Sequence, residues 1–340
     1  MSVHPHGAAD DQTAAPSGRG LGQRGRQLGA TVGRSQIIGI ALALFLVSTA
    51  FALLSPQFLT ERNLSIVLGQ TAAVTIASFA MTMVILSGGI DLSVGAIVAL
   101  SSVVTGLALR GGQGVVVAVV AALAVATAVG VVNGLITVRW HVQPFLVTLG
   151  TLSIGRGVAE YLADGRTIPI LNREFVGVFV GNVGGVPLPA VWTVAFLVGS
   201  HLLLQHTVFG RRLYAIGGNE RAAVQAGTRV GAVKVGVYTI SGLLAGFASL
   251  ISTARLSSGL PGAGVGFELD VIAAVVLGGT GFKGEGGSVV GTTLGALTIG
   301  VVGNGLTLLG VNPFVQRIVK GGIILAAIVL DSVRNRRAGG

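Results

Sequence analysis

Apolar runs alternate with short polar ones along almost the whole chain. They fall at 36–54, 64–86, 93–110, 115–138, 143–162, 190–205, 234–255, 267–281, 288–309 and 313–331. A helix needs roughly 20 apolar residues to cross the hydrocarbon core of a bilayer. The pattern therefore predicts an all-α polytopic membrane protein with about ten transmembrane helices. The run at 267–281 is short, which predicts a half-helix or re-entrant segment. Two longer polar stretches separate the spans, 163–189 with Pro169, Pro187 and Pro189, and 206–233 with most of its charges arginine. Residues 1–35 are rich in Gly, Ser and Arg without apolar periodicity and read as a disordered tail. Residues 332–340 form a second short tail. The competing reading of the leader is a signal peptide ending near Ala50-Phe51-Ala52, but the polar part is long for one.

Composition supports the membrane reading. The chain is 51% hydrophobic and 10% charged, with mean hydropathy +0.84. A soluble domain carries about 25% charged residues. The 55 glycines suit close helix approach in lipid, and a GC-rich genome would favour them too. The net charge of +10 comes without a basic stripe interleaved with aromatics, so no nucleic-acid partner is expected. With both termini inside, Arg19, Arg24, Arg26, Arg34, Arg139, Arg211, Arg212, Arg221, Arg229, Lys234, Lys283, Arg334, Arg336 and Arg337 fall on the cytoplasmic side, 14 of the 22 basic residues. The opposite orientation puts only Arg62, Arg110, Arg166, Arg173 and Arg255 there. The positive-inside rule selects cytoplasmic termini. That makes 206–233 a cytoplasmic loop and 163–189 a periplasmic one. There is no cysteine, hence no disulfide or thiolate metal site.

A weak internal repeat is visible. Gly130-Val-Val-Asn-Gly-Leu-Ile-Thr leads to Val142-Gln-Pro-Phe145, and Gly300-Val-Val-Gly-Asn-Gly-Leu-Thr leads to Val311-Asn-Pro-Phe314. Leu86-Ser-Gly-Gly likewise matches Leu277-Gly-Gly. One span fewer separates the paired motifs in the second copy, which would invert it in the membrane. Chance similarity in a Gly/Val-rich chain is the alternative.

Four segments carry candidate chemistry. Ser87-Gly-Gly-Ile-Asp-Leu-Ser-Val-Gly95 sets Gly88, Gly89, Asp91, Ser93 and Gly95 between two spans. Asp91 can cap the following helix, and the glycines suggest an unwound turn of the kind tolerated near a pathway. In 209–230, Asn219 is a good N-cap and Glu220 suits a first turn. Ala222, Ala223 and Ala226 give a small smooth face, and Gly227 is a plausible stop. This predicts a short helix, either a solvated loop element or a dock for a cytoplasmic partner. Arg156 and Glu160 share a helix face and could pair or snorkel. Glu268 and Asp270 stand at the outer end of the 267–281 run, to meet a partner or solute or to cap the helix. Arg317 and Lys320 share a face of the last span and can snorkel outward.

These segments resemble the permease subunits of ribose/xylose/arabinose-type sugar ABC importers. The resemblance rests on the GGIDLSVG signature at 88–95, the Pro144-Phe145…Arg156-Gly run, and the coupling segment with Gly217 or Gly218, Asn219, Ala222, Ala223, Gly227 and Val230. It also rests on the Glu268-Leu-Asp270…Gly278-Gly279 segment. Thr228 departs from the family's usual apolar residue. The resemblance implies a permease domain over 36–331 in the inner (cytoplasmic) membrane. It implies ATPase coupling through Gly218, Asn219, Glu220, Ala222, Ala223 and Gly227. A cytoplasmic ABC ATPase would carry ATP and Mg, so this chain is no enzyme and binds no cofactor. A periplasmic or lipid-anchored sugar-binding protein, and a homodimer or permease heterodimer in membrane lipid, complete the expected assembly. Gln70, Asn133, Gln143, Phe145 and Asn304 are candidates for the solute path, or equally for interhelical hydrogen bonds. An ion-coupled secondary transporter using Asp91 or Glu160, a carrier of branched-chain amino acids or nucleosides, and a scaffold without flux are the alternatives. No lysine follows a glycine, so there is no P-loop. Gly279-x-Gly281-x-x-Gly284 lacks the acidic residue a dinucleotide fold requires. His201 and His206, five apart, are not a helical metal pair.

Overall fold

A computed structural model describes residues 19–281 and 287–338 of the chain. Residues 1–18 of the expected tail, Lys283 and Gly284 lie outside the described residues. The helices are α1 (Arg19–Leu54), α2 (Glu61–Leu86), α3 (Val94–Arg110), α4 (Val115–Arg139), α5 (Pro144–Leu162), α6 (Arg173–Val180), α7 (Leu188–His206), α8 (Val208–Gly218), α9 (Glu220–Gln225), α10 (Val230–Leu256), α11 (Phe267–Leu277), α12 (Val289–Leu308) and α13 (Pro313–Ala338). Among the described residues the strands are two-residue pieces: β1 (Ile168–Pro169) pairs antiparallel with β4 (Ser258–Gly259), and β2 (Asn182–Val183) with β3 (Val186–Pro187).

All ten apolar runs are helical. Among the described residues, six helices are long and apolar enough to cross a membrane: Ile37–Leu54, Glu61–Leu86, Val115–Arg139, Leu188–His206, Val230–Leu256 and Val289–Leu308. Of the other four, α3 and α11 are shorter, while α5 carries Arg156 and Glu160 and α13 carries Arg317 and Lys320. At 1.5 Å per residue α11 spans about 16 Å, roughly half a hydrocarbon core.

One expectation is corrected at the start of the chain. The backbone is helical from Arg19, so residues 19–35 are not a structureless tail. At the other end α13 runs on to Ala338, through most of the short tail at 332–340. Extending a helix already nucleated by an apolar span costs little per residue, even through Gly- and Arg-rich sequence.

The core is built on α2 and α10, which lie side by side. Each packs against the helices that follow the other: α10 lies on α3 and α4, and α2 on α11 and α12. α5 covers α3, α7 covers α2, α1 covers α12, and α13 leans on α11 and α12. Glycines permit the closest crossings. A Cβ at Gly130 of α4 would run into the Tyr238 carbonyl and lie 3.1 Å from Gly242 Cα of α10, and one at Gly300 of α12 would run into Thr71 of α2. Both motif copies of the repeat thus sit where a small residue lets two central helices touch. Phe179 and Trp192 pack on Phe247, closing α6 and α7 over α10. The outer faces of α1, α4, α5 and α13 expose Leu46, Leu53, Val116, Ile154, Phe314 and Ile318. An apolar surface of that extent belongs in lipid.

Candidate functional site

α2 stops at Leu86 because the chain turns back there. Ser87 N–H donates to the Met83 carbonyl at 3.0 Å, and Gly88 takes φ +79°. A side chain at that angle would be strained. Gly89 lies against the Tyr238 hydroxyl, leaving no room for a Cβ. The turn brings Asp91 into the core with none of its surface exposed.

Asp91 does not cap α3. Ser93 occupies the cap position, and α3 begins at Val94. Standing two residues ahead of the cap position, Asp91 closes an Asx-type turn instead. Its Oδ1 accepts from Ser93 N–H at 2.9 Å and from Ser93 Oγ–H at 2.6 Å. Its Oδ2 accepts from Ser241 Oγ–H of α10 at 2.7 Å. The chain of donors continues outward. Asn133 Nδ2 of α4 donates to Ser93 Oγ at 2.9 Å, and Thr151 Oγ1 of α5 donates to Asn133 Oδ1 at 2.6 Å. Every hydrogen bond in this row points toward the carboxylate, which fits a buried carboxylate held as an acceptor. The row ties α10, the turn, α4 and α5 together.

Asn304 serves a second crossing. It exchanges amide hydrogen bonds with Asn63 of α2 at 2.9 and 3.0 Å. Asn133 and Asn304 are therefore buried interhelical ties. Gln143 and Gln70 instead line cavities, and Phe145 is exposed at the start of α5.

Sequence reasoning missed Ser241, Ser102, Thr82 and Thr292. Ser249 donates to the Val98 carbonyl at 2.7 Å and Thr253 to Ser102 at 2.8 Å, while Thr82 and Thr292 bond at 2.7 Å. A signal existed: Ser241, Ser249 and Thr253 in α10, and Thr71, Thr75, Ser78 and Thr82 in α2, recur at helical spacing on one side of an apolar helix. In lipid, such stripes face other helices.

The coupling segment folds as two helices, α8 and α9, joined at Asn219. Asn219 Oδ1 accepts from Ala222 N–H at 3.0 Å. Gly227 takes φ +80°, with its N–H bonded to the Val224 carbonyl and Thr228 N–H to the Ala223 carbonyl. That is the expected cap and stop, with Gly218 at the end of α8. Glu220 pairs with Lys234 of α10 at 2.9 Å. Tyr214 of α8 donates to the Gly287 carbonyl at 2.9 Å, just before α12. Burial pushes the Tyr214 phenol up, against a smaller opposing hydrogen bond from Gln205, so it stays protonated as a donor. The segment thus grips both α10 and the start of α12. The smooth face is smaller than expected: Ala222, Val224 and Ala226 are exposed, but Ala223 is buried.

At the opposite end of α10, Gly95 of the signature lies against the Glu268 carboxylate and the Gly264 carbonyl. Glu268 Oε2 is buried without a hydrogen-bond partner. Arg156 does not pair with Glu160. Its guanidinium donates to the Gly264 carbonyl, in the loop ahead of α11, at 3.4 Å, and Glu160 stands exposed. Lys320 does not snorkel outward. It pairs with Asp270 of α11 at 2.8 Å, because α13 leans that face onto α11. Asp270 thus spends its charge on Lys320, and α11 is capped by Gly266 instead.

Three cavities surround these groups. On the α9 face, about 460 Å³ is lined by Gly88, His141, Gln143, Glu220 and Lys234. On the opposite face, about 530 Å³ is lined by Arg62, Ser65, Gln70, Asn182 and Arg255. A third, of about 110 Å³, is lined by Gln70, Thr71, Asp270 and Lys320 together with the apolar Val74, Ala296 and Ile299. Among the described residues no group of three or more His, Asp or Glu converges as metal ligands.

Long apolar helices, a glycine-broken helix tied to a buried carboxylate, and cavities with charged and polar groups in their lining on both faces fit a polytopic membrane protein of the transport-permease class. Residues 63–328 match the family described as branched-chain amino acid transport system / permease component, and the chain belongs to that family. It is 44% identical over 301 residues to the ribose import permease protein RbsC of Bacillus subtilis (strain 168), covering 88% of this chain and 94% of that one. It is 37% identical over 295 residues to the D-allose transport system permease protein AlsC of Escherichia coli (strain K12), covering 86% and 90%. Similarity to the L-arabinose ABC transporter permease protein AraH of Azospirillum brasilense is also 37%, over 311 residues and 90% and 89% of the two chains.

Proposed function

We propose that this chain is the membrane-spanning subunit of an ATP-driven importer of a monosaccharide, ribose or a similar sugar, in the cytoplasmic membrane. Similarity to RbsC, AlsC and AraH over nearly the full length supports the sugar, against the amino acid in the family's description. On this reading there are ten spans, α1 to α5, α7 and α10 to α13, with α11 a half-helix and both termini on the α9 side, the cytoplasm. The two glycine-crossed halves are an inverted repeat. ATP and Mg belong to a separate ATPase, and a binding protein delivers sugar to the opposite face of a permease dimer.

The observation that carries the mechanism is the connection from α9 to Asp91. The ATPase pushes on α8 and α9 through Ala222, Val224 and Ala226. Glu220–Lys234 and Tyr214–Gly287 pass the movement to α10 and α12. α10 carries Ser241, which holds Asp91 and through it α3, α4 and α5. A shift of α8 and α9 therefore moves the helices around the cavity on the α9 face as a body, opening that side as the other closes.

The test is radiolabelled uptake in proteoliposomes holding the chain with its cognate ATPase and binding protein. Wild type is compared with Ala222→Arg/Val224→Arg, which leaves buried Ala223 and the Glu220–Lys234 pair intact. ATP-dependent ribose uptake that the variant abolishes, while folding is retained, is the expected result. Uptake driven by an ion gradient without ATP would overturn the reading, and leucine uptake in place of sugar would overturn the substrate class.

A further inference from the structure

The Asp270–Lys320 pair has no role in the connection above, yet it joins two apolar helices, α11 and α13, of the bundle. Two charges there are costly unless something compensates them. Lys320 Nζ bonds both carboxylate oxygens of Asp270, at 2.8 and 3.1 Å, and both side chains remain partly exposed. Both side chains line the cavity of about 110 Å³. Gln70 lines that cavity and also the larger one opening on the face away from α9. One polar side chain therefore stands between a wide vestibule of about 530 Å³ and a chamber of about 110 Å³, room for about four waters. Gly303 of α12 lines the chamber beside Lys320: a Cβ there would lie 3.9 Å from Lys320 Cε, an ordinary contact.

The geometry points to the Asp270–Lys320 pair, gated by Gln70, as the solute-contacting constriction of the import path, selective for neutral polyhydroxylated solutes. This rests on the importer reading above. A carboxylate accepts, an ammonium donates and an amide does both. A solute with adjacent hydroxyls can replace each bond the pair makes with itself. A neutral solute leaves the pair's charges balanced when it passes, whereas a carboxylate solute would compete with Asp270 for Lys320.

The chain contains no cysteine, so one introduced thiol is unique. Gln70→Cys and Gly303→Cys would be treated from the binding-protein side with a membrane-impermeant methanethiosulfonate. Val116→Cys on the apolar outer face of α4 and Leu171→Cys in the exposed loop before α6 mark the slow and fast limits. The expected result is modification of both test positions more than tenfold faster than Val116→Cys. Saturating ribose with its binding protein should slow it at least threefold. In parallel, Asp270→Asn/Lys320→Gln should lose about tenfold in ribose uptake and change the ratio of ribose to arabinose carried. Labelling of Gly303→Cys no faster than Val116→Cys overturns the inference, whether or not the double variant folds. So does a folded double variant with unchanged uptake and preference. Loss of ATP dependence in the wild-type vesicles would instead strike the importer reading, and fast, ribose-protected labelling would then still stand for the chamber.

Discussion

Replacing Gly242 of α10 by alanine would test the central crossing. The new Cβ would run into the Ala126 carbonyl of α4 and lie 3.1 Å from Gly130 Cα. Carbon atoms pack best at about 3.5–4.0 Å, so the helices must part by about 0.5–1 Å. They cannot part at one point alone. One turn along, Gly246 would put a Cβ 2.5 Å from that of Ala126, and Gly134 would put one 2.8 Å from Val235 Cα. Overpacking of this kind costs about 1–3 kcal/mol, and the better helix propensity of alanine returns about 1 kcal/mol. The expected net loss is therefore about 0–2 kcal/mol. A thermal melt in detergent should show a midpoint several degrees below wild type. Ribose uptake should also fall, since α10 carries Ser241 to Asp91. Gly150→Ala is the control, because nothing lies within 4 Å of its Cβ position. It should be neutral or stabilising. A Gly242→Ala variant as stable as Gly150→Ala would refute the argument that close approach of α4 and α10 requires glycine.

Asp91→Ala should destabilise by about 3 kcal/mol or more, because it orphans three buried donors. Asp91→Asn should melt closer to wild type, since its oxygen still accepts from Ser93 and the Ser241 hydroxyl can turn to accept. Asn63→Ala and Asn304→Ala, alone and together, should give a coupling of about 1–2 kcal/mol in a double-mutant cycle of melting free energies; additive losses would show that the amide pair contributes nothing. Tyr238→Phe should keep or raise the melting midpoint, because its buried hydroxyl has no hydrogen-bond partner. A loss of 2 °C or more, roughly 1 kcal/mol, would reveal a partner that the hydroxyl finds in the membrane.

The helices and their ends were legible in the sequence because they are local matters. Apolar length marks a span, Asn219 and Gly227 mark the ends of α9, and glycines mark the break after α2. Each depends on residues a few positions apart. What Asp91 does was not legible. Its local spacing reads as a helix cap, but its position in the core depends on Ser241, 150 residues away. The pairing of Lys320 with Asp270, the orphaned oxygen of Glu268 and the inward turn of Ala223 likewise arise only when helices cross. In lipid the hydrophobic effect does not choose helix partners. Packing of small residues and the need to satisfy each buried polar group do, and these act between helices far apart in sequence. The sequence therefore determined the spans and the turn, while tertiary contact alone decided which polar groups are structural ties and which face an open cavity.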